Sequence, residues 1–252
     1  MFCPKDRKVK RMTLNKRLAA VSTALILSFG TMAAQAQDAE PLPARVTDFV
    51  RTVAADDHVI GSEDAAITLI IWASVTCPHC GQWFSEDWPV VKKELVETGK
   101  LRVAFRAFPT EPAELAMTGF RIAECAPVED YMSVIEYQME NQKEIFDAAR
   151  EGRAQDIYSD IAKLAGMETN EAITTCFRNP DITTHIVDNA MRAQVAEIKG
   201  VPAFLINGET YKGAQDAKSL VELITKMDKD GLSALPEDIK PNNDAHAGHD
   251  HE

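Results

Sequence analysis

An α/β fold, with a helical domain inserted between a βαβ half and a ββα half, is what this sequence predicts. Three observations carry that reading. An apolar run over 66–73 ends in Cys77-Pro78-His79-Cys80 and a helix-like stretch from Gly81. Leu101 to Phe108 alternates with a period of two. Helical periodicity from Pro112 to about Lys199 then gives way to extended segments joined by Asn207-Gly208.

The elements follow in order. Ala44 to Val53 reads as an amphipathic helix with Val46, Phe49, Val50 and Val53 on one face. His58-Val59-Ile60 is a short extended piece, Gly61 a turn, and 66–73 the first core strand. The helix after the cysteines runs to about Glu97 and stops at Gly99, with a kink at Pro89, which lacks the N–H for one helical hydrogen bond. Leu101 to Phe108 is the next strand, parallel to the first across that helical crossover. Breaks near Pro127 and Asn141, at Gly152, at Gly166 and at Asn179-Pro180 divide the insert into five or six helices. Val201 to Ile206 returns as a strand, Asn207-Gly208 is a type I′ hairpin signal, and Glu209-Thr210-Tyr211 is the returning strand. A last helix covers about Asp216 to Met227.

The N-terminus sets the compartment. Residues 1–17 hold seven Lys or Arg against Asp6 alone, Leu18 to Gly30 is apolar, and Ala34-Gln35-Ala36 offers a small-residue cleavage site. That is a secretory signal peptide over 1–36, cut before Gln37, and an apolar stretch well short of the ~20 residues of a membrane span. An exported, periplasmic protein follows, and Cys3 leaves with the signal. Export removes seven basic side chains and one acidic one from totals of 27 and 39, leaving 20 against 38. Nucleic acid and anionic lipid are poor partners for such a chain. The remaining segments are a lead-in over 37–56, a first half of the fold over 57–111, the insert over 112–199, a second half over 200–230 and a tail over 231–252.

A cysteine pair where a strand stops and a helix starts carries the chemistry. Cys77 falls at the helix N-terminus, where unpaired N–H groups and the macrodipole favour an anion, so a thiolate is expected at neutral pH. Cys80, one turn on, faces inward within reach of a reversible disulfide. Half of a zinc site is the alternative for Cys-x-x-Cys, but zinc needs a second ligand pair. Cys125 and Cys176 stand in separate segments, while His58 and His185 read as separate structural residues. No metal and no cofactor are assigned.

The element order is that of a thioredoxin fold split by a helical domain, and the chain resembles the DsbA family of exported thiol–disulfide oxidoreductases. Cys77-Pro78-His79-Cys80, the Gly200-Val201-Pro202 before the hairpin and the helical insert carry the resemblance over roughly residues 57–228. The branch with a Ser74-x-x-Cys lead-in and a second cysteine pair in the insert is the most similar. The resemblance implies that a substrate thiolate attacks Cys77, that Cys80 is the resolving partner, and that His79 further stabilises the Cys77 anion. It implies a cis-proline at Pro202, with the backbone of Val201 open to an extended substrate. Val201 before that proline leans toward oxidase, as does the short lead-in; an isomerase or reductase of the same fold is the alternative. One departure stands out. Many relatives carry an acidic residue six positions before the first cysteine, and here that position is Ile71, so proton delivery to Cys80 must use water or another group.

Relatives of this branch also carry a comparable second pair, and with Cys77 and Cys80 committed to each other, Cys125 and Cys176 are each other's remaining partner. Two free buried thiols are the alternative. His246, His249 and His251 in the tail read as part of a solvated segment rather than a metal site. The expected partners are unfolded or reduced secreted proteins and a membrane re-oxidising protein of the DsbB type, and the chain is expected to be a monomer. A metal-handling module using Cys77, Cys80 and the tail is the competing function.

Overall fold

The structure is a computed structural model that describes residues 49–236. The signal segment, most of the lead-in and the histidine tail lie outside the described residues. No described helix is long and apolar enough to cross a membrane.

Five strands form one sheet in the order β1-β3-β2-β4-β5: β1 (His58–Ile60), β2 (Ile67–Ala73), β3 (Leu101–Ala107), β4 (Ala203–Ile206) and β5 (Glu209–Thr210). β2 and β3 are parallel, with Ile71 opposite Phe105, while β1 and β4 run antiparallel to them. Central β2 is covered on both faces, which explains its nearly continuous apolar run. Leu69 and Ile71 face the main core, and Ile70 and Trp72 face a second cluster with Val50 and Ala193.

The β2–β3 crossover is helical but broken. α1 (Pro78–Glu86) ends at Asp87, α2 (Trp88–Val91) restarts with Pro89 in its first turn, and a wider π-type turn covers Lys92–Val96. Proline in a first turn forfeits no hydrogen bond, so the expected kink becomes a restart. Gly99, at φ +75, ends the crossover.

Six helices make the insert: α3 (Ala113–Glu124), α4 (Tyr131–Glu140), α5 (Gln142–Arg150), α6 (Ala154–Leu164), α7 (Asn170–Phe177) and α8 (Pro180–Val195). Their boundaries fall at the proline, asparagine and glycine breaks. The β4–β5 hairpin turns on Asn207 and Gly208, at φ +47 and +83, as a type I′ turn requires. Asn207 also accepts from the Thr68 N–H at 2.8 Å, pinning the turn to β2. α9 (Ala217–Asp230) is capped by Asp216, which accepts from Ser219 N–H at 3.0 Å, and closes on left-handed Gly231.

Burial departs from the sequence pattern at two positions. Phe49, placed with Val50 and Val53 on a buried face, is 55% exposed, and the Arg192 guanidinium lies 5.2 Å from its ring. Arg106, in the alternating strand β3, is fully buried because Asp57 and the carbonyls of Val50 and Thr52 fold over it.

Candidate active site

Cys77 is the N-cap of α1, with extended backbone (φ −87, ψ 119), and Pro78 occupies the first turn. Its carbonyl accepts from Gly81 N–H at 3.0 Å, so the cap begins the helical ladder while the side chain stays free. Cys77 is half-buried, Pro78 and His79 are exposed, and Cys80 is fully buried. Both sulfurs are thiols in this structure.

The two thiols are polarised against each other. Cys77 is lowered from 9.0 to about 6, chiefly by the Cys80 side chain, which donates to it. Burial opposes the shift; the backbone N–H groups of Cys80 and His79 and the charge of His79 add to it. Cys80 is pushed far up by the same hydrogen bond and by burial. Ser74 N–H donates to the Cys80 sulfur at 3.5 Å.

The Val201–Pro202 peptide is cis, and the Val201 carbonyl lies 3.4 Å from Cys77 Sγ. As a thiol Cys77 donates to that oxygen; as a thiolate it releases the oxygen and accepts from Cys80. Beside them His79, Gln82, Trp83, Val201, Pro202 and Gln215 line an open groove of about 420 Å³. Trp83 Nε1 donates to the Gln215 carbonyl at 2.7 Å, fixing one wall.

Sequence reasoning missed the supports beneath this turn. Gln142, the first residue of α5, sends its Nε2 to the carbonyls of Val75 (3.0 Å) and Cys77 (2.9 Å). A Cβ at Gly81 would stand 2.4 Å from Gln142 Oε1, so a larger residue there displaces the Gln142 amide. On the other side, the Ser74 hydroxyl lies 3.1 Å from the Thr76 hydroxyl and accepts from Thr110 Oγ1 at 2.9 Å. These contacts lock the end of β2 to the loop after β3. The Ser74 lead-in was the one available signal; nothing local marks Gln142 or Thr110.

Ile71 is fully buried, with Phe105 and Phe204 opposite it on the neighbouring strands. Ile71→Glu is therefore expected to cost about 2 kcal/mol or more, because a carboxyl group there gains no charged partner. If a neutral acid at this position relays protons, the variant resolves a mixed disulfide faster near neutral pH, as stopped-flow measurement would show. Unchanged resolution at every pH in a folded variant would mean that water already serves Cys80.

Cys125 and Cys176 are bonded, with Cα atoms 6.1 Å apart and a sequence separation of 51. The bond ties the end of α3 to α7. A loop of that length stabilises by about 4 kcal/mol in the chain-entropy model. Cys176→Ala should lower the denaturation midpoint accordingly and leave peptide oxidation intact. Mild reductant should open a Cys77–Cys80 disulfide first, a sequence of events that mass mapping after alkylation would reveal or contradict.

His58 and His185, expected to be separate, meet on Glu124. β1 pairs with β3 and brings His58 Nε2 to 3.1 Å from Glu124 Oε2, while α8 brings His185 Nδ1 to 2.8 Å from Oε1.

A family model described as Thioredoxin matches residues 53–226. A Rickettsia typhi protein, named provisionally as a protein-disulfide oxidoreductase, is 25% identical over 154 residues, which are 61% of this chain and 55% of that protein. The chain thus spans about half the length of such relatives. Wolbachia pipientis alpha-DsbA1 shares the fold at a TM-score of 0.63 and 22% identity, over 71% of this chain and 94% of that one. The protein-disulfide isomerase of Novosphingobium aromaticivorans does so at 0.58 and 23%, over 70% and 99%.

Proposed function

The chain belongs to the thioredoxin family, and from that premise we propose that it is an exported thiol–disulfide oxidoreductase that donates a Cys77–Cys80 disulfide to secreted polypeptides. The observation that carries the proposal is the geometry of the pair: a half-buried Cys77 capping α1 over a buried Cys80, with the carbonyl of the cis Val201–Pro202 peptide 3.4 Å from the Cys77 sulfur.

In the oxidised protein, a substrate thiolate attacks Cys77 Sγ and forms a mixed disulfide. The Cys77–Cys80 bond breaks, its electron pair goes to the Cys80 sulfur, and that sulfur takes a proton. A second substrate thiolate then attacks the substrate sulfur of the mixed disulfide and expels Cys77. Cys77 leaves readily because its thiolate is stable, and a good leaving group speeds exchange. The substrate gains a disulfide and loses two electrons; the protein keeps them as a dithiol. The Val201 backbone at the groove offers main-chain hydrogen bonds, which read no sequence and so suit many substrates. A membrane protein of the DsbB type would re-oxidise the dithiol in the periplasm, with the chain acting as a monomer after its signal is removed.

The direct test is ultraviolet titration of thiolate absorbance in the reduced protein, with peptide oxidation measured in parallel. A midpoint near 6 and stoichiometric oxidation of a dithiol peptide are expected; a midpoint at or above the ~8.5 of a free cysteine would sink the mechanism. Reactivation of a scrambled disulfide protein faster than oxidation of a reduced one would instead assign isomerase chemistry.

A further inference from the structure

The cluster around Glu124 holds none of the residues assigned above to disulfide exchange. Its members come from three elements: His58 from β1, Glu124 from the last position of α3, and His185 from α8. Their side chains are 16%, 7% and 14% exposed, and one ligand atom from each lies within 4.8 Å of the others. We propose that His58, Glu124 and His185 form a binding site for a divalent ion of the zinc class.

The donor set selects the ion. Two imidazoles and one carboxylate suit zinc and its first-row neighbours, whereas calcium and magnesium favour oxygen alone. The spacing requires the three side chains to close in from within 4.8 Å of one another. Metal bonds of about 2.0–2.2 Å in a tetrahedral array place ligand atoms roughly 3.4 Å apart. The two imidazole–carboxylate contacts, 3.1 and 2.8 Å, go to opposite oxygens of Glu124, Oε2 and Oε1, so binding through a single oxygen turns the carboxylate until that oxygen faces both rings. Three ligands leave one position for water.

The ligands are also held in place before any ion arrives. The His58 ring lies flat on Tyr131, with centroids 3.4 Å apart and planes 6° from parallel. Glu124 immediately precedes Cys125, whose bond to Cys176 anchors the end of α3. Behind His185, Nε2 lies 3.9 Å from Asp56 Oδ2, and Arg192 holds that carboxylate at 2.7 and 2.8 Å. With the ion on Nδ1, the ring proton sits on Nε2 and faces Asp56, the carboxylate–histidine–metal order of many zinc centres. The Asn189 amide, whose Nδ2 is 3.3 Å from Nε2, has to shift aside. Without the ion, both rings hydrogen-bond the Glu124 carboxylate, so an arriving ion must displace those hydrogen bonds.

The test uses the oxidised chain with every remaining thiol alkylated, so that no cysteine ligates, and with His246, His249 and His251 changed to alanine. Titration with Co²⁺ should give visible d–d bands that saturate at one equivalent and are displaced by Zn²⁺. Glu124→Gln and His185→Gln, introduced singly, should each weaken binding at least ~100-fold, beyond what an outer-shell partner is worth. Peptide oxidation by these variants should be unchanged, which also shows that they fold. Two results overturn the site: no saturable band in the protein with all three ligands intact, or saturation that neither substitution alters. The first decides the matter even if both variants fail to fold.

Discussion

Replacing Cys80 by alanine is expected to halt turnover, to let the Cys77 thiolate attack an oxidised substrate and hold it as an unresolved mixed disulfide while the substrate's other sulfur leaves as a thiol, and to raise the Cys77 midpoint by about one unit or more from its value near 6. The physical reason is that the Cys80 thiol is the largest contributor to the lowered Cys77 value, ahead of the backbone N–H groups and of His79. His79→Ala should shift the midpoint less. Ultraviolet titration of both variants checks the order, and an unmoved midpoint in Cys80→Ala would leave the helix terminus as the main stabiliser. A pH dependence follows for the reduced protein. Cys77 is depressed in the folded state, so its contribution to stability is complete above the unfolded thiol value and is lost as pH falls through about 6. The dithiol form should therefore gain stability relative to the disulfide form between about pH 6 and the ordinary thiol value, above which the raised Cys80 opposes the gain.

The second large effect belongs to Arg106→Ala, expected to destabilise the fold by about 3–5 kcal/mol without touching the cysteines. Arg106 makes a two-pronged pair with Asp57 at 2.8 and 2.7 Å, donates to the carbonyls of Val50 and Thr52, and lies 4.9 Å from the Trp72 ring centroid. Both charged side chains are fully buried. Removing the cation leaves the Asp57 carboxylate with the Ala54 N–H at 2.8 Å and an Arg192 contact at 3.4 Å. Chemical denaturation measures the loss. The double change Arg106→Met with Asp57→Leu should recover much of it, because burying no charge costs less than burying half of a pair. A single variant within about 0.5 kcal/mol of the parent would show that the pair is merely tolerated.

What could be read from sequence divides by range. The strand ends, the insert breaks and the Asn207-Gly208 hairpin are local: each follows from a few adjacent residues whose backbone preferences agree. Cys77 and Cys80 were legible for the same reason, since a strand-to-helix turn and a cysteine spacing are both short-range. Gln142 reaches the active-site turn across 65 positions, Arg106 meets Asp57 across 49, and His58 and His185 meet Glu124 across 66 and 61. A polar residue destined for a buried partner looks, in one dimension, like any polar residue on a wet surface. Phe49 shows the converse, an aromatic side chain assigned to the core by period that the structure leaves exposed.

The brevity of the two outer strands carries a separate consequence. β1 has three residues and β5 only two, while the long strands β2 and β3 are each paired on both sides. An unpaired strand edge is a template on which foreign extended chain can zip, and shortness is one of the ways proteins blunt it. A protein proposed to hold unfolded polypeptides meets that hazard with every substrate. Its groove can offer an incoming chain a brief stretch of backbone at Val201, yet the margins of its sheet give the same chain too little purchase to spread, so capture need not turn into co-aggregation.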